Sequence, residues 1–144
     1  ILNMKWLIWM ILKLLTLIQI KMSQTQETKL WKRIRNLNLK GHIFRIESNT
    51  INGIPDIVGL LNNKYFWLEL KANDRKDYGL SKWQINWHSI HNAFGGNAYI
   101  LLKALKHKGL KLLRIKKRSV SLVAEGEDNE STLRLMISRC VFPS

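Results

Sequence analysis

Apolar and polar positions along the chain change period several times, and each change marks an element. Residues 6–20, WLIWMILKLLTLIQI, are apolar almost throughout, with one charge at Lys13. As a helix they would reach about 22 Å, short of the roughly 30 Å hydrocarbon core of a bilayer. Over 25–39 the apolar positions Leu30, Ile34 and Leu37 recur on a helical period, with Ser23 or Thr25 as cap and Gly41 as stop. Residues 42–47 alternate and predict a first strand, followed by a loop over 48–53. Two runs rich in β-branched and aromatic residues, 57–61 and 65–70, flank Asn62-Asn63, a pair that tolerates positive φ, and so predict a hairpin. A polar loop over 72–80 precedes a helix capped by Ser81, running to about Phe94 and ended by Gly95-Gly96. The strand predicted at 98–102 follows a helical connection and should therefore run parallel to its neighbour. A further strand is predicted at 110–115, then a turn or mobile loop over AEGEDNES, then a last apolar segment. The order is α-β-β-β-α-β, an α/β fold with a mixed central sheet flanked by helices.

The hairpin has a chemical consequence. A two-residue turn at Asn62-Asn63 sets Leu61 opposite Lys64 and, counting back along both strands, Asp56 opposite Glu69. Directly opposed side chains have Cβ atoms roughly 4.5–5.5 Å apart, so two carboxylates there repel and weaken the sheet. A bound divalent cation removes that conflict. Glu69 and Lys71 share a face because side chains alternate, while Leu68 and Leu70 point the other way.

Pro55-Asp56 and Glu69-Leu70-Lys71 resemble the PD and ExK elements of the PD-(D/E)xK nuclease superfamily. The likeness extends to their surroundings. Glu27 opens a basic helical stretch, ETKLWKRIRNLN, followed by GHIFRIES and the Gly-x-Pro-Asp turn; downstream, LSKWQINWHSIHNAFGG carries Gln84 and leads into NAYILL. That order is similar to the VRR-NUC branch, small phage-type nucleases and junction resolvases, over roughly residues 26–102. The resemblance implies a restriction-endonuclease-like core and a Mg²⁺ ion, with Mn²⁺ as substitute, held by Asp56, Glu69 and the Leu70 backbone carbonyl. It implies that Lys71 positions the attacking water and offsets developing charge, and that Glu27 contacts the metal through water or a second ion. Gln84 would orient Lys71 or a metal-bound water. Read without the resemblance, Glu27 is an ordinary first-turn helix acid and Gln84 a surface glutamine. The implied activity is a DNA endonuclease, junction-selective or site-specific in the homing or restriction manner; the alternative is a basic module of the same fold that binds DNA without cutting.

Charge agrees with a nucleic-acid partner. The 144-residue chain has a formal net charge of +14 and a pI of about 10.2. Basic residues cluster over 29–40 and 103–118, and the expected DNA contacts are Lys76, Lys82, Lys103, Lys106, Lys116, Lys117 and Arg118. Cutting both strands with one small site requires two copies, hence an expected homodimer. Lone Cys140 makes no intrachain disulfide and points to a reducing, cytoplasmic setting, and the chain has no CxxC metal site. The lack of GxxxxGK[ST] removes the main signal for a nucleotide cofactor.

The remaining motifs are read as structural. Trp83 and Trp87 lie four apart and are expected to pack in the core, with base stacking the alternative. His88 and His91 lack a third zinc ligand and are expected to be satisfied or exposed. His91-Asn92 lacks the flanking hairpin of an HNH nuclease. Residues 1–21 are expected to lie outside the native domain, since Met22 starts the polar stretch before the first helix; the apolar run is short for a membrane crossing and carries Lys13, and no small-residue cleavage site of a signal peptide follows it. Residues 22–118 then form the nuclease domain, with 119–144 as its C-terminal extension.

Overall fold

The computed structural model describes residues 3–48 and 50–142. Its elements in chain order are α1 (Met4–Arg35), β1 (Gly41–Arg45), β2 (Ile57–Leu61), β3 (Lys64–Ala72), α2 (Lys82–Ala93), β4 (Ala98–Lys103), β5 (Gly109–Lys116), β6 (Ser119–Glu127) and α3 (Glu130–Val141). The strands form one six-stranded sheet in sequential order. Neighbours are antiparallel except β3 and β4, which run parallel because α2 carries the chain back between them. This is the mixed α/β architecture, with the α-β-β-β-α-β order, that the sequence predicts.

The hairpin forms in the expected register. Asn62 and Asn63 both adopt left-handed backbone (φ 52° and 62°), matching a two-residue turn to the strand twist. Ile57 pairs with Leu68 and Leu61 with Lys64. Alternation along β3 then divides its residues. Phe66, Leu68 and Leu70 join Leu30 and Ile34 of α1 and Leu133 and Met136 of α3 in the larger core. The opposite sheet face, bearing Ile100, Leu102, Leu113 and Ile115, packs against Leu80 just before α2 and Ile85 on it.

Helix α2 is anchored at both ends by side chains. Ser81 Oγ accepts from the Gln84 N–H, and Gln84 Oε1 accepts from the Ser81 N–H, a reciprocal capping box. At the far end buried Asn92 donates to the carbonyls of Ala98 and Ile115 (3.1 and 2.9 Å) and accepts from the Ala98 N–H (2.9 Å). The helix is thereby tied to both β4 and β5. Gly95, at φ +86°, lets the chain leave the helix in left-handed backbone.

Several boundaries differ from expectation. Helix α1 begins at Met4, not at Ser23 or Thr25; Thr25 Oγ1 instead donates to the Lys21 carbonyl within the helix. It ends at Arg35, capped by Asn36 and followed by Asn38 turning at φ 52°, while Gly41 opens β1 rather than stopping the helix. Residues 4–29 of α1 bury nothing fully, the first buried side chain being Leu30. An 18-residue window of α1 has mean hydropathy 1.5, none of it buried, so by length and composition the helix is long enough to cross a membrane, contrary to the shorter run read from sequence. Signal sequences share those properties, so length alone decides nothing. The AEGEDNES segment is not a loop: its first half completes β6, where Glu125 faces Lys111 across an edge strand, and Asn129 caps α3. Its polarity reflects an edge strand open to water rather than a turn.

Candidate active site

The C-terminal half of β3 is where charge concentrates. Asp56 sits just before β2, behind buried Pro55, in a chain kept extended by the Ile46 N–H donating to the Asp56 carbonyl at 2.7 Å. Its Oδ2 accepts from the Leu70 N–H at 2.9 Å, a cross-strand bond that fixes the carboxylate beside β3. Leu70 therefore engages Asp56 through its amide. Glu69 is 4% exposed, and its Oε1 accepts from Gln84 Nε2 at 2.6 Å and lies 3.7 Å from Lys71 Nζ. Glu69 Oε2 is buried without a hydrogen-bond partner. Such an orphaned carboxylate oxygen is costly unless something cationic or protic meets it.

The capping box explains why Gln84 points inward. Ser81 holds the amide oxygen, so the amide nitrogen is left to face Glu69. A sequence signature for a helix start thus doubles as a positioning device.

Electrostatics at the three acids run in one direction. Burial, then the Asp56 charge, push the Glu69 carboxyl up to about 8; Lys71 opposes this and Glu27 adds to it. Asp56 is also raised, chiefly by burial, against the Leu70 hydrogen bond and the Arg45 and Lys71 charges. Glu27, reaching in from α1, is raised by burial and lowered by Lys71, with Asp56 raising it and a backbone hydrogen bond from Ala72 lowering it. Three carboxyls with one mutual field and too little compensating cation form the kind of cluster found at functional sites.

Two recesses open on this cluster. One of about 470 Å³ is lined by Arg45, Asp56, Glu69, Trp83 and Gln84, with residues 46–48 and 51–54 as its rim. Another of about 550 Å³ is lined by Glu27, Lys71, Asn73 and Lys106, and α1 supplies Thr16, Gln19 and Ile20 to its wall. Among the described residues no three His, Cys, Asp or Glu side chains stand close enough together to hold a metal ion. The donors that are present, Asp56 and Glu69, are hard oxygen ligands, and Glu69 Oε2 is unclaimed, which fits a Mg²⁺-type ion that keeps several waters.

All five expected site residues, Glu27, Asp56, Glu69, Lys71 and Gln84, fall within this neighbourhood. The expected DNA contacts divide. Lys76 and Lys106 are exposed around the second recess and the loop after β3; Lys82 lies over the Trp83 ring at 5.0 Å. Lys116, Lys117 and Arg118 occupy the exposed β5–β6 turn, where Arg118 Nη2 donates to Asn86 and its N–H to Ser89 Oγ. Lys103 differs from expectation: it bridges to Asp128 (3.4 Å) and Gln26 (3.2 Å), and Asp128 also holds Arg33 (2.7 Å). That lysine fastens α1 to the segment before α3.

The tryptophans part company as well. Trp87 packs, with ring contacts to Trp67 and His91, whereas Trp83 is 50% exposed and borders the Asp56 recess, against the core role expected of it. His88 is wholly buried and burial pushes its pKa down to about 4, so it is a neutral core residue. Arg45 went unnoticed in the sequence. Its signal was the register: Arg45 pairs with Ile57, which sets it beside Asp56.

No protein-family model matches the chain, and neither does any curated protein. The solved structures to which the chain is similar include one from an archaeon. It is Hjc of the archaeal hyperthermophile Archaeoglobus fulgidus, a Holliday junction resolvase, at 18% identity and a TM-score of 0.37 over 76% of this chain and 91% of that one. So distant a likeness names no acting residue, and the chemistry below comes from the side chains themselves.

Proposed function

We propose that this protein is a Mg²⁺-dependent endonuclease that hydrolyses DNA phosphodiester bonds, with branched or junction DNA as its preferred substrate class. The observation that carries the reading is buried Glu69, opposed to Asp56 across the hairpin, with one oxygen orphaned and the other held by Gln84 and faced by Lys71. Asp56, Glu69 and the Leu70 main chain would hold the cation, which when bound supplies Lewis-acid polarisation of the phosphate and a more acidic water. Lys71, on the Glu69 face, places positive charge where the phosphate gains negative charge during attack. Gln84 keeps Glu69 Oε1 in one orientation, and the Leu70 N–H does the same for Asp56 Oδ2. Glu27 reaches Lys71 from the α1 side and balances its charge. Lys76, Lys82, Lys106 and the β5–β6 turn flank the recesses and would meet backbone phosphates. Free, buried Cys140 agrees with a reducing, intracellular setting, and double-strand cutting would take two copies of the chain.

A second reading is a non-cleaving DNA-binding module, favoured by the formal net charge of +14 and the exposed Lys116, Lys117 and Arg118, which would bind phosphates without any chemistry at the acids. Plasmid, linear duplex and four-way-junction DNA incubated with Mg²⁺ or EDTA, beside Asp56→Asn, separates the two. Metal-dependent nicks that vanish in the variant support the nuclease. Equal binding by both proteins with no cleavage of any substrate would leave the binding module standing.

A further inference from the structure

Beside the Asp56 recess lies a smaller one of about 180 Å³, lined by Asn52, Trp83, Asn86, Trp87, Ile90 and His91. Asn52 and Trp83 are shared by both recesses, so Trp83 forms a partition with the candidate active site on one side. The Trp83 side chain is 50% exposed and Ile90 52%, an apolar surface that costs free energy to keep in water. Behind them Trp87 stacks on His91 at 4.6 Å and meets Trp67 at 5.1 Å, giving the recess a stiff aromatic floor. A void of about 150 Å³ already accepts one benzene ring, so the space suits a single flat heterocycle rather than a base pair.

Its rim is cationic and its walls carry amides. Lys82 Nζ stands 5.0 Å over the Trp83 ring, and Arg118 is bound to Asn86 Oδ1 at 3.1 Å. That bond occupies the Asn86 oxygen and leaves its amide hydrogens, with those of Asn52, to meet acceptors on the edge of a ring. Aromatic faces for stacking, amides for an edge and two cations for flanking phosphates are complementary to one nucleotide with its base swung out of the helix.

We infer that this recess receives one unpaired nucleobase of the DNA strand, with Trp83 stacking on it and thereby selecting DNA that carries an unpaired nucleotide close to the scissile phosphate. The inference deepens the nuclease reading and rests on it for the identity of the neighbouring site.

The test measures binding of the full chain in EDTA, where no cutting interferes, to three duplexes of one sequence. One has a single bulged 2-aminopurine, one an abasic residue at the bulge, and one is fully paired. The wild-type protein is expected to bind the bulged base about tenfold tighter than the abasic bulge, since stacking is worth roughly 1–3 kcal/mol per base, and to quench 2-aminopurine emission on binding. In Trp83→Ala the ratio of the two affinities should fall to near one, with Trp83→Phe retaining most of it. Equal wild-type affinity for base and abasic bulges, or an undiminished ratio in Trp83→Ala, overturns the inference; the wild-type ratio and quenching need no variant to fold. Base preference without Mg²⁺-dependent cutting would sink the nuclease reading alone, and cutting without base preference would sink the recess alone.

Discussion

Replacing Glu69 by Gln should stabilise the metal-free protein, and the size of the effect follows from the buried carboxyl. In the unfolded chain Glu69 titrates near its ordinary 4.5; in the fold burial and Asp56 hold it near 8. Between those values the folded state binds the extra proton, so stability falls as pH rises, by about 1.4 kcal/mol per pH unit. Below 4.5 the carboxyl is protonated in both states and costs nothing; above 8 it is ionised in both and the full loss, at most roughly 5 kcal/mol, is present. Set against a typical stability of about 5–15 kcal/mol, this is a large share. Gln is nearly isosteric and neutral. Glu69→Gln should therefore remove the fall between pH 6 and 8, leaving the contributions of Asp56 and Glu27. Urea denaturation in EDTA at pH 5, 6, 7, 8 and 9, on both proteins, measures it. Millimolar Mg²⁺ should restore wild-type stability at pH 8 and leave the variant unmoved. Parallel wild-type and variant profiles across pH 6–8 would refute the account of Glu69 as a destabilising, cation-seeking carboxylate.

Four further outcomes are expected. Glu69→Ala and Lys71→Ala should each lower the cleavage rate by about 10²-fold or more while DNA affinity stays the same or rises, read by gel cleavage and anisotropy; weakened binding as the main defect would contradict the assignment. Neutralising Lys116, Lys117 and Arg118 should weaken binding and reduce the slope of log K against log salt by about 0.9 per lost phosphate contact, and an unchanged slope would remove this turn from the DNA surface. Asn92→Ala, which strips three buried hydrogen bonds from the junction of α2, β4 and β5, should cost roughly 3 kcal/mol by chemical denaturation; a loss under about 1 kcal/mol would mean that α2 is held by packing alone. A chain beginning at Met22 should keep cooperative unfolding, because no side chain of α1 before Leu30 is fully buried, and loss of the near-UV signal with far-UV signal retained would show that the exposed turns matter to the fold.

Local chemistry was sufficient wherever neighbours in sequence are neighbours in space. Asn62-Asn63 demanded a tight turn, alternation then set Asp56 against Glu69, and Ser81 announced the start of α2. These are period and turn constraints acting within a few residues, and they are enough to set Asp56, Glu69 and Lys71 on one face, whereas the place of Gln84 at the site was implied only by the resemblance. Tertiary structure alone decided what depends on long-range packing. It brought Glu27 from α1 to Lys71, consumed Lys103 in an ion pair with Asp128, exposed Trp83 while burying Trp87, and made an edge strand of a segment that reads as a loop. A side chain's partner and its exposure are set by which surfaces meet across the sheet, and no period along the chain encodes that meeting.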